Sequence, residues 1–380
     1  MLNSFDFFGV FPVSDAIASA DAAAHQFQAP GAIESVCPFG SGNVNDTFLV
    51  RLHNPQADHF ILQRLNTRVF QHPAAVMANM RICTEAMATA LQGETLPPGR
   101  RWEVPHVVLT TSGGDYYQDA QGSVWRAIAF IDGIAKDCIK TPTEAYEVGY
   151  GLGQFHHLIG NVPPDRLADT LPGFHITPLY LATYDQVAAH NAPPRSPESD
   201  YCHRFIAEHR AIAPILETAK ARGELTLRPI HGDPKVNNLL LDPTTGQAIT
   251  LVDLDTVKPG LIHYDLGDCL RSGCNPLGEE TAAWETVEFD CDRAQIILQG
   301  YLDIAQDSLT PADFHYLYDA MRLIAFELGL RFFTDYLAGN RYFKALDSTH
   351  NLRRALVQFQ LTASIEAQVH QISTLIQSIL

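Results

Sequence analysis

Basic side chains are scarce. The 380 residues carry 26 Lys and Arg against 43 Asp and Glu, a formal net charge of −17. Polyanions are held by clustered cations, so nucleic acid and anionic membrane surfaces are not expected partners. A phosphate-bearing ligand would need a local site, helped by a cation. Long apolar runs are also missing. No window offers the roughly 18 uninterrupted apolar residues of a membrane span, and the opening MLNSFDFFGV lacks the positive stretch of an export signal. A cytoplasmic location is the expectation. The seven cysteines are odd in number, scattered and without a CxxC pair. That fits reduced, buried thiols better than a disulfide framework or a structural zinc. No internal repeat is visible.

What is present points to two domains, since a single core stops growing at roughly 250 to 300 residues. Between 33 and 65 the alternating runs FLVRL and HFILQRL flank the turn formers HNPQAD, the pattern of a β-hairpin. Residues 72–91 repeat apolar side chains at helical spacing just after Pro73, and strands return at 104–110 and 124–131. Beyond Asp132 and Gly133 the patterns become long and helical: around 145–160, over 200–221, and in ADFHYLYDAMRLIAFELGLRFFTDYLAG. Short strands interrupt them near LTLRPI, NLLLD and ITLVDLD, and NAPPRSPES at 191–199 is the most linker-like stretch. The division expected is 1–131 and 132–380, an α+β chain with a small antiparallel sheet lobe carrying one main helix and a larger, mostly helical lobe. The final helix, with Leu361, Ile365, Val369, Ile372, Ile376 and Ile379 three or four apart, either docks on its own core or forms a dimer seam. Monomer and homodimer both remain open.

The stretch HGDPKVNNLLLD, residues 231–242, concentrates functional groups in a loop. Phosphoryl transfer requires a carboxylate to orient the attacking hydroxyl and take its proton, ligands for magnesium, and cations to spread charge. Asp233 supplies the base, Lys235 an ammonium for the phosphate, and Asn238 a metal ligand. Downstream, ITLVDLD puts Asp253 and Asp255 at a strand end, and the turn PTTGQ would fold the two segments into a hairpin. Hard oxygen donors suit magnesium. Asp255 is either a second metal contact or a backbone hydrogen-bond acceptor.

HGDPKVNN followed by VDLD resembles the catalytic loop and metal-binding segment of the aminoglycoside phosphotransferase and choline kinase superfamily, which has a two-lobed, protein-kinase-like fold. More narrowly, GSGNVNDTFLV, FILQRLNTRVF, LPGFH, HGDPKVNNLLLD, VDLDTVKPGLIHYDLGDCLRS and ELGLRFFTDYL are similar to the N-acetylhexosamine 1-kinase family. The resemblance implies that Asp233 is the catalytic base, Asn238 and Asp253 hold Mg, and Lys235 neutralises charge near the γ-phosphate of ATP. It implies a bracing role for His231 and Asp265.

In the first lobe, Gly40, Ser41, Gly42 and Asn45 form a turn whose backbone amides would approach ATP phosphates. A kinase strand lysine is absent from FILQRL, where Gln63 and Arg64 stand; Arg64 is favoured for its charge, with Glu85 either its ion-pair partner or a solvated helix residue. Phe130 and Asp132 bound the expected adenine-binding hinge. Arg331 and Asp335 form either a helical i, i+4 ion pair or an edge of the acceptor pocket, and His175 is a second candidate for the sugar. The expected activity is transfer of the γ-phosphoryl of ATP to a sugar hydroxyl, the anomeric hydroxyl of an N-acetylhexosamine or hexose. An amino alcohol, homoserine or aminoglycoside acceptor is the alternative, and a catalytically inactive nucleotide-binding module the more distant one.

Overall fold

The computed structural model describes residues 13–40, 44–53, 59–190 and 195–379. They fall into two compact units, one running up to Ala88 and resuming at Glu103–Asp132, the other comprising Thr89–Trp102 and Gly133 onward.

The first unit is built on an antiparallel sheet. Helix α1 (Val13–Ala24) precedes strands β1 (Ile33–Pro38), β2 (Asp46–Leu52) and β3 (Phe60–Leu65); α2 (Pro73–Gly93) follows, then β4 (Val107–Val108), β5 (Tyr117–Gln118) and β6 (Val124–Ala129). The strand order is β1-β2-β3-β6-β4, with β5 also pairing β6. Neither α1 nor β1 stands out in the sequence. The expected strand over 104–110 shortens to two residues just after Pro105, which has no N–H to give a ladder.

Strand pairing assigns every side chain of this sheet to a face, because opposed residues of an antiparallel pair point the same way. Phe48 pairs with Leu62 and Val50 with Phe60, while Leu62 pairs with Ala127. These residues pack with Ala20, Ala23 and Ala24 of α1 and with Phe27 in one core. The small alanines let the helix lie close to the strands. Thr47, Leu49, Ile61, Gln63, Arg126 and Ile128 occupy the opposite face.

The second unit begins its strands with β7 (Ile134–Ala135) and its helices with α3 (Pro142–Ile159), α4 (Thr177–His190), α5 (Pro197–His209) and α6 (Ile215–Ala221). Then come β8 (Arg228–Ile230), β9 (Leu239–Leu241), β10 (Ala248–Leu251), β11 (Lys258–Gly260), α7 (Ile262–Gly273), α8 (Cys291–Ala305), α9 (Pro311–His315), α10 (Leu317–Leu337), α11 (His350–Ala367) and α12 (Val369–Ser378). Thr141 and Glu144 form a capping box at the start of α3. Helices α3 and α8 meet backbone to backbone: a Cβ at Gly149 would lie 1.8 Å from the carbonyl oxygen of Ile297, and one at Gly300 2.2 Å from that of Tyr146. Arg100 explains why the 89–102 segment belongs here. Its guanidinium meets both oxygens of buried Glu147 at 2.8 Å, and Glu147 also accepts the Ala248 N–H at 2.8 Å.

Three expected helices are each broken. Pro214 divides the 200–221 stretch, a bend at Tyr316 separates α9 from α10, and Gln368 separates α11 from α12. Leu361, Ile365, Ile372 and Ile376 are buried, so the last helices dock on their own unit. All seven cysteines are unpaired and five are buried. Among the described residues, no helix is long and apolar enough to cross a membrane.

Candidate active site

Strand β8 delivers the chain into the loop 231–238 and β9 carries it away. The entry is tightly determined. Gly232 adopts φ +87°, and a Cβ there would lie 2.7 Å from the carbonyl oxygen of Thr256, so only glycine fits. Asp265, on α7, accepts the His231 N–H at 2.7 Å on Oδ2 and the Gly232 N–H at 2.8 Å on Oδ1. His156 Nε2 donates to Asp265 Oδ2 at 2.8 Å, and Tyr301 donates its hydroxyl to His156 Nδ1 at 3.0 Å. Burial pushes the Asp265 carboxyl up, but His156 and the His231 backbone donor outweigh it and hold Asp265 below its usual range.

His231 braces the loop. Its Nδ1 accepts the Asp233 N–H at 3.2 Å and its Nε2 donates to the Val252 carbonyl at 3.0 Å. That pattern fixes a neutral ring, and burial lowers its pKa against the pull of Asp265 and Asp233.

Lys235 Nζ lies 2.9 Å from Asp233 Oδ2, with both side chains about a third exposed (34% and 29%). Burial would raise the Asp233 carboxyl, but the Lys235 ammonium and then Arg271 hold it below the ordinary carboxylate range. Lys235 is raised in turn, by Asp233 first and by Asp253 and Asp268 as well, against the cost of burial. The ammonium thus lies within electrostatic reach of the carboxylates of both Asp233 and Asp253.

Asn238 is buried and donates through Nδ2 to the Asp233 backbone oxygen at 2.7 Å and to Asp233 Oδ2 at 3.3 Å. Both bonds use the nitrogen, which turns Oδ1 to the other side. The expected hairpin is present: β9 pairs β10 with Leu239 opposite Leu251, and the Val252 N–H continues the ladder to the Asn238 carbonyl at 2.9 Å. Asp253 follows in the left-handed region, φ +66° and ψ +56°, and is exposed. An aspartate tolerates that backbone better than most residues. The carboxylate of Asp253 and the amide oxygen of Asn238 are hard donors of the kind that suits a divalent cation taking its remaining ligands from phosphate and water. Among the described residues no cluster of three or more His, Cys, Asp or Glu could hold a metal unaided. Asp255 is buried and its carbonyl accepts Thr170 Oγ1 at 3.2 Å.

His175 is a correction. Expected at the sugar, it is buried and uses both ring nitrogens as donors, Nε2 to the Gly232 carbonyl at 2.7 Å and Nδ1 to Glu327 Oε1 at 3.0 Å. It braces the loop from behind. Burial disfavours the imidazolium, yet the Glu327 carboxylate and the carbonyl raise its pKa.

Arg331 stands where Phe174, Tyr180, Tyr342 and Phe343 converge, its Cζ 5.2, 5.1, 6.0 and 5.4 Å from the four ring centres. Burial opposes its charge, but Tyr180, Tyr342, Glu327 and Asp233 favour it. Asp335 fulfils neither expected role. Its Oδ1 accepts the N–H groups of Arg341 and Tyr342 at 2.7 and 2.8 Å, and its Oδ2 that of Phe343 at 3.0 Å. It folds that loop back so that Tyr342 and Phe343 reach Arg331.

In the first unit, Gly40 takes φ +71°, while Ser41 and Gly42 lie outside the described residues. Asn45 is buried and its Oδ1 accepts the Asn66 N–H at 3.0 Å, a turn-closing contact. Arg64 is bound by its cross-strand neighbour Asp46 (Nη2 to Oδ2, 2.6 Å), and Glu85 by Arg81 one turn earlier at 3.1 Å. At the expected hinge, the Phe130 N–H is engaged by the His59 carbonyl at 3.0 Å, so Phe130 brings its ring and carbonyl but not its donor. Asp132 is exposed.

Sequence reasoning overlooked the Asp268–Arg271 pair on α7 (2.8 Å), Glu327 and the rings around Arg331. Charged residues within apolar helices were the available signal for Glu327 and Arg271.

Residues 35–289 match the phosphotransferase enzyme family, and the chain belongs to it. Among solved structures it is similar to an aminoglycoside phosphotransferase from Alicyclobacillus acidocaldarius (TM-score 0.60, 16% identity, 93% of this chain and 96% of that one). A choline kinase from Cryptosporidium parvum gives TM-score 0.60 at 14% identity, covering 97% and 98%. The amicoumacin kinase hAmiN, solved with AMP-PNP and Ca2+, gives 0.57 at 14%, covering 92% and 93%. The fold is therefore the kinase-like α+β fold.

Proposed function

We propose that the chain transfers the γ-phosphoryl of ATP to a sugar hydroxyl, the anomeric hydroxyl of an N-acetylhexosamine or hexose, releasing ADP and a sugar 1-phosphate. Asp233 accepts the hydroxyl proton as the new P–O bond forms and the bond from the γ-phosphorus to the β–γ bridging oxygen breaks. A low carboxyl pKa keeps Asp233 ionised and able to orient the hydroxyl at neutral pH. Lys235, already paired with Asp233, moves its charge toward the phosphoryl oxygens. Asn238 Oδ1 and Asp253 would hold a divalent cation, Mg, which when bound draws charge off the phosphate oxygens.

The observation that carries the acceptor class is Arg331, a guanidinium framed by four aromatic rings within electrostatic reach of Asp233. Choline and aminoglycosides are cations, and a half-buried guanidinium within electrostatic reach of the base repels them. A neutral, hydroxyl-rich ring suits guanidinium donors and aromatic faces. The sequence likeness to N-acetylhexosamine 1-kinases supports the narrower choice.

The test is ADP release from MgATP over a panel of free hexoses, N-acetylated hexosamines, choline, ethanolamine and aminoglycosides. Turnover is expected with the sugars alone. Preference for an amine-bearing acceptor would overturn the acceptor class, and turnover by Asp233→Asn at the unaltered rate would overturn the base.

A further inference from the structure

Just before α4 the chain makes a turn that few sequences tolerate. Gly173 adopts φ +84° and His175 φ +64°, two left-handed residues on either side of Phe174. For a residue with a side chain that backbone carries a cost, and it persists where the surroundings hold it. His175 is held by the Gly232 carbonyl and by Glu327. Phe174 is held from β11. Lys258 is 3% exposed, and its ammonium donates to Asp169 Oδ1 at 3.0 Å, to the Phe174 carbonyl at 3.1 Å and, more loosely, to the Leu171 carbonyl at 3.5 Å. An ammonium has three donors, and all three point into the segment 169–174. Burying a charge is costly unless it is paired and hydrogen-bonded; this one meets that condition through a single turn.

The strand that carries Lys258 is itself fixed to the loop 231–238. Lys258 stands opposite Ile230 in the β8–β11 ladder, directly before that loop. Two positions earlier, Thr256 Oγ1 donates to the His231 carbonyl at 2.8 Å. Thr170 Oγ1 adds a second tie between the two segments, to the Asp255 carbonyl at 3.2 Å. The turn at 173–175 is therefore set relative to the loop that bears Asp233. It carries Phe174, one of the four rings around Arg331, whose ring centre lies 5.2 Å from Arg331 Cζ and 6.0 Å from Lys258 Nζ.

We propose that Lys258 is a positioning residue for the acceptor. By fixing the Phe174 carbonyl between two left-handed residues, it sets where the Phe174 ring stands against Arg331 and so how an acceptor lies toward Asp233. The inference rests on the reading of Arg331 and its rings as the acceptor site.

Rates are measured with N-acetylglucosamine, N-acetylgalactosamine and glucose. The fastest of these is then varied at saturating MgATP, and MgATP at saturating sugar, with far-UV circular dichroism and thermal unfolding to establish folding of each variant. Turnover of none of the three sugars by the unaltered protein overturns the acceptor reading and this inference with it. Lys258→Met is expected to raise the KM for the sugar roughly tenfold or more, as when a reactant is slightly misplaced, while the KM for MgATP changes less than about threefold. A folded Lys258→Met protein with a near-unaltered sugar KM overturns the inference, as do two KM values raised alike, the result of a merely structural role. If Lys258 acts through the ring, its effect needs the ring. In a Phe174→Ala background, adding Lys258→Met is expected to raise the sugar KM by less than about threefold; a further rise as large as in the unaltered protein overturns the inference. If Lys258→Met does not fold, Asp169→Ala decides, at a side chain 47% exposed. A sugar KM raised about threefold or more with an unaltered KM for MgATP supports the assignment, and any other pair of values overturns it.

Discussion

The Nε2 of His175 donates to the carbonyl oxygen of Gly232 at 2.7 Å, across 57 residues of sequence. Its Nδ1 meets Glu327 at 3.0 Å, and Thr177 Oγ1 meets the other Glu327 oxygen at 2.7 Å. The loop 231–238 is thus held by a buried ion pair that bonds its backbone at Gly232.

That pair has a pH window. His175 is raised, so its contribution is complete below the ordinary histidine value of about 6.5 and is lost as pH rises through the folded value. Glu327 is lowered: burial opposes its charge, His175 outweighs that, and its contribution is complete above about pH 4.5 and lost as pH falls. Glu327→Gln is expected to cost about 3 kcal/mol between those limits, the penalty for breaking a buried pair. Denaturant titrations of both proteins at several pH values check it; a pH-independent difference would count against the charged pair.

Lys235 keeps Asp233 ionised. In Lys235→Met the burial that now opposes the carboxylate is no longer offset, so the acidic limb of the kcat/KM profile should move up by about one pH unit or more. kcat should fall as well. Steady-state rates from pH 4.5 to 8 measure both.

Gly232→Ala places a Cβ 2.7 Å from the Thr256 carbonyl at a positive φ. Strain of this kind costs about 1 to 3 kcal/mol, and because residue 233 follows directly, kcat should drop more than KM rises. Thermal unfolding and steady-state kinetics on one preparation separate the two effects.

Asp253→Ala removes the exposed carboxylate expected to face a divalent cation. The Mg2+ concentration giving half-maximal activity should rise at least about tenfold, as when a metal ligand is lost, a larger effect than any change in unfolding temperature because the side chain is exposed. Activity titrated with MgCl2 at fixed ATP tests it.

The loop 231–238 and its hairpin were legible because the chemistry is local: Asp233, Lys235 and Asn238 lie within six consecutive positions, and Gly246 turns β9 into β10. Side-chain parity on β3 was not. Gln63 and Arg64 are adjacent in sequence, and only the register with β6, set some 60 residues away, decides which meets Arg126 and which meets Trp125. The surroundings of His175 were illegible for the same reason, since its partners come from the loop after β8 and from α10. The breaks at Tyr316 and Gln368 carry no proline or glycine to announce them.

Helices α3 and α8 touch through bare backbone at Gly149 and Gly300. The first helix carries His156 and the second Tyr301, and these link through Asp265 to the amides of His231 and Gly232. A methyl group added at Gly300 would therefore wedge the two helices apart and disturb the entry to the loop 231–238 through Tyr301, His156 and Asp265 in turn. Gly300 lies beyond residue 289, where the family match ends, so the hydrogen-bonded support of the loop 231–238 draws on residues past the matched segment.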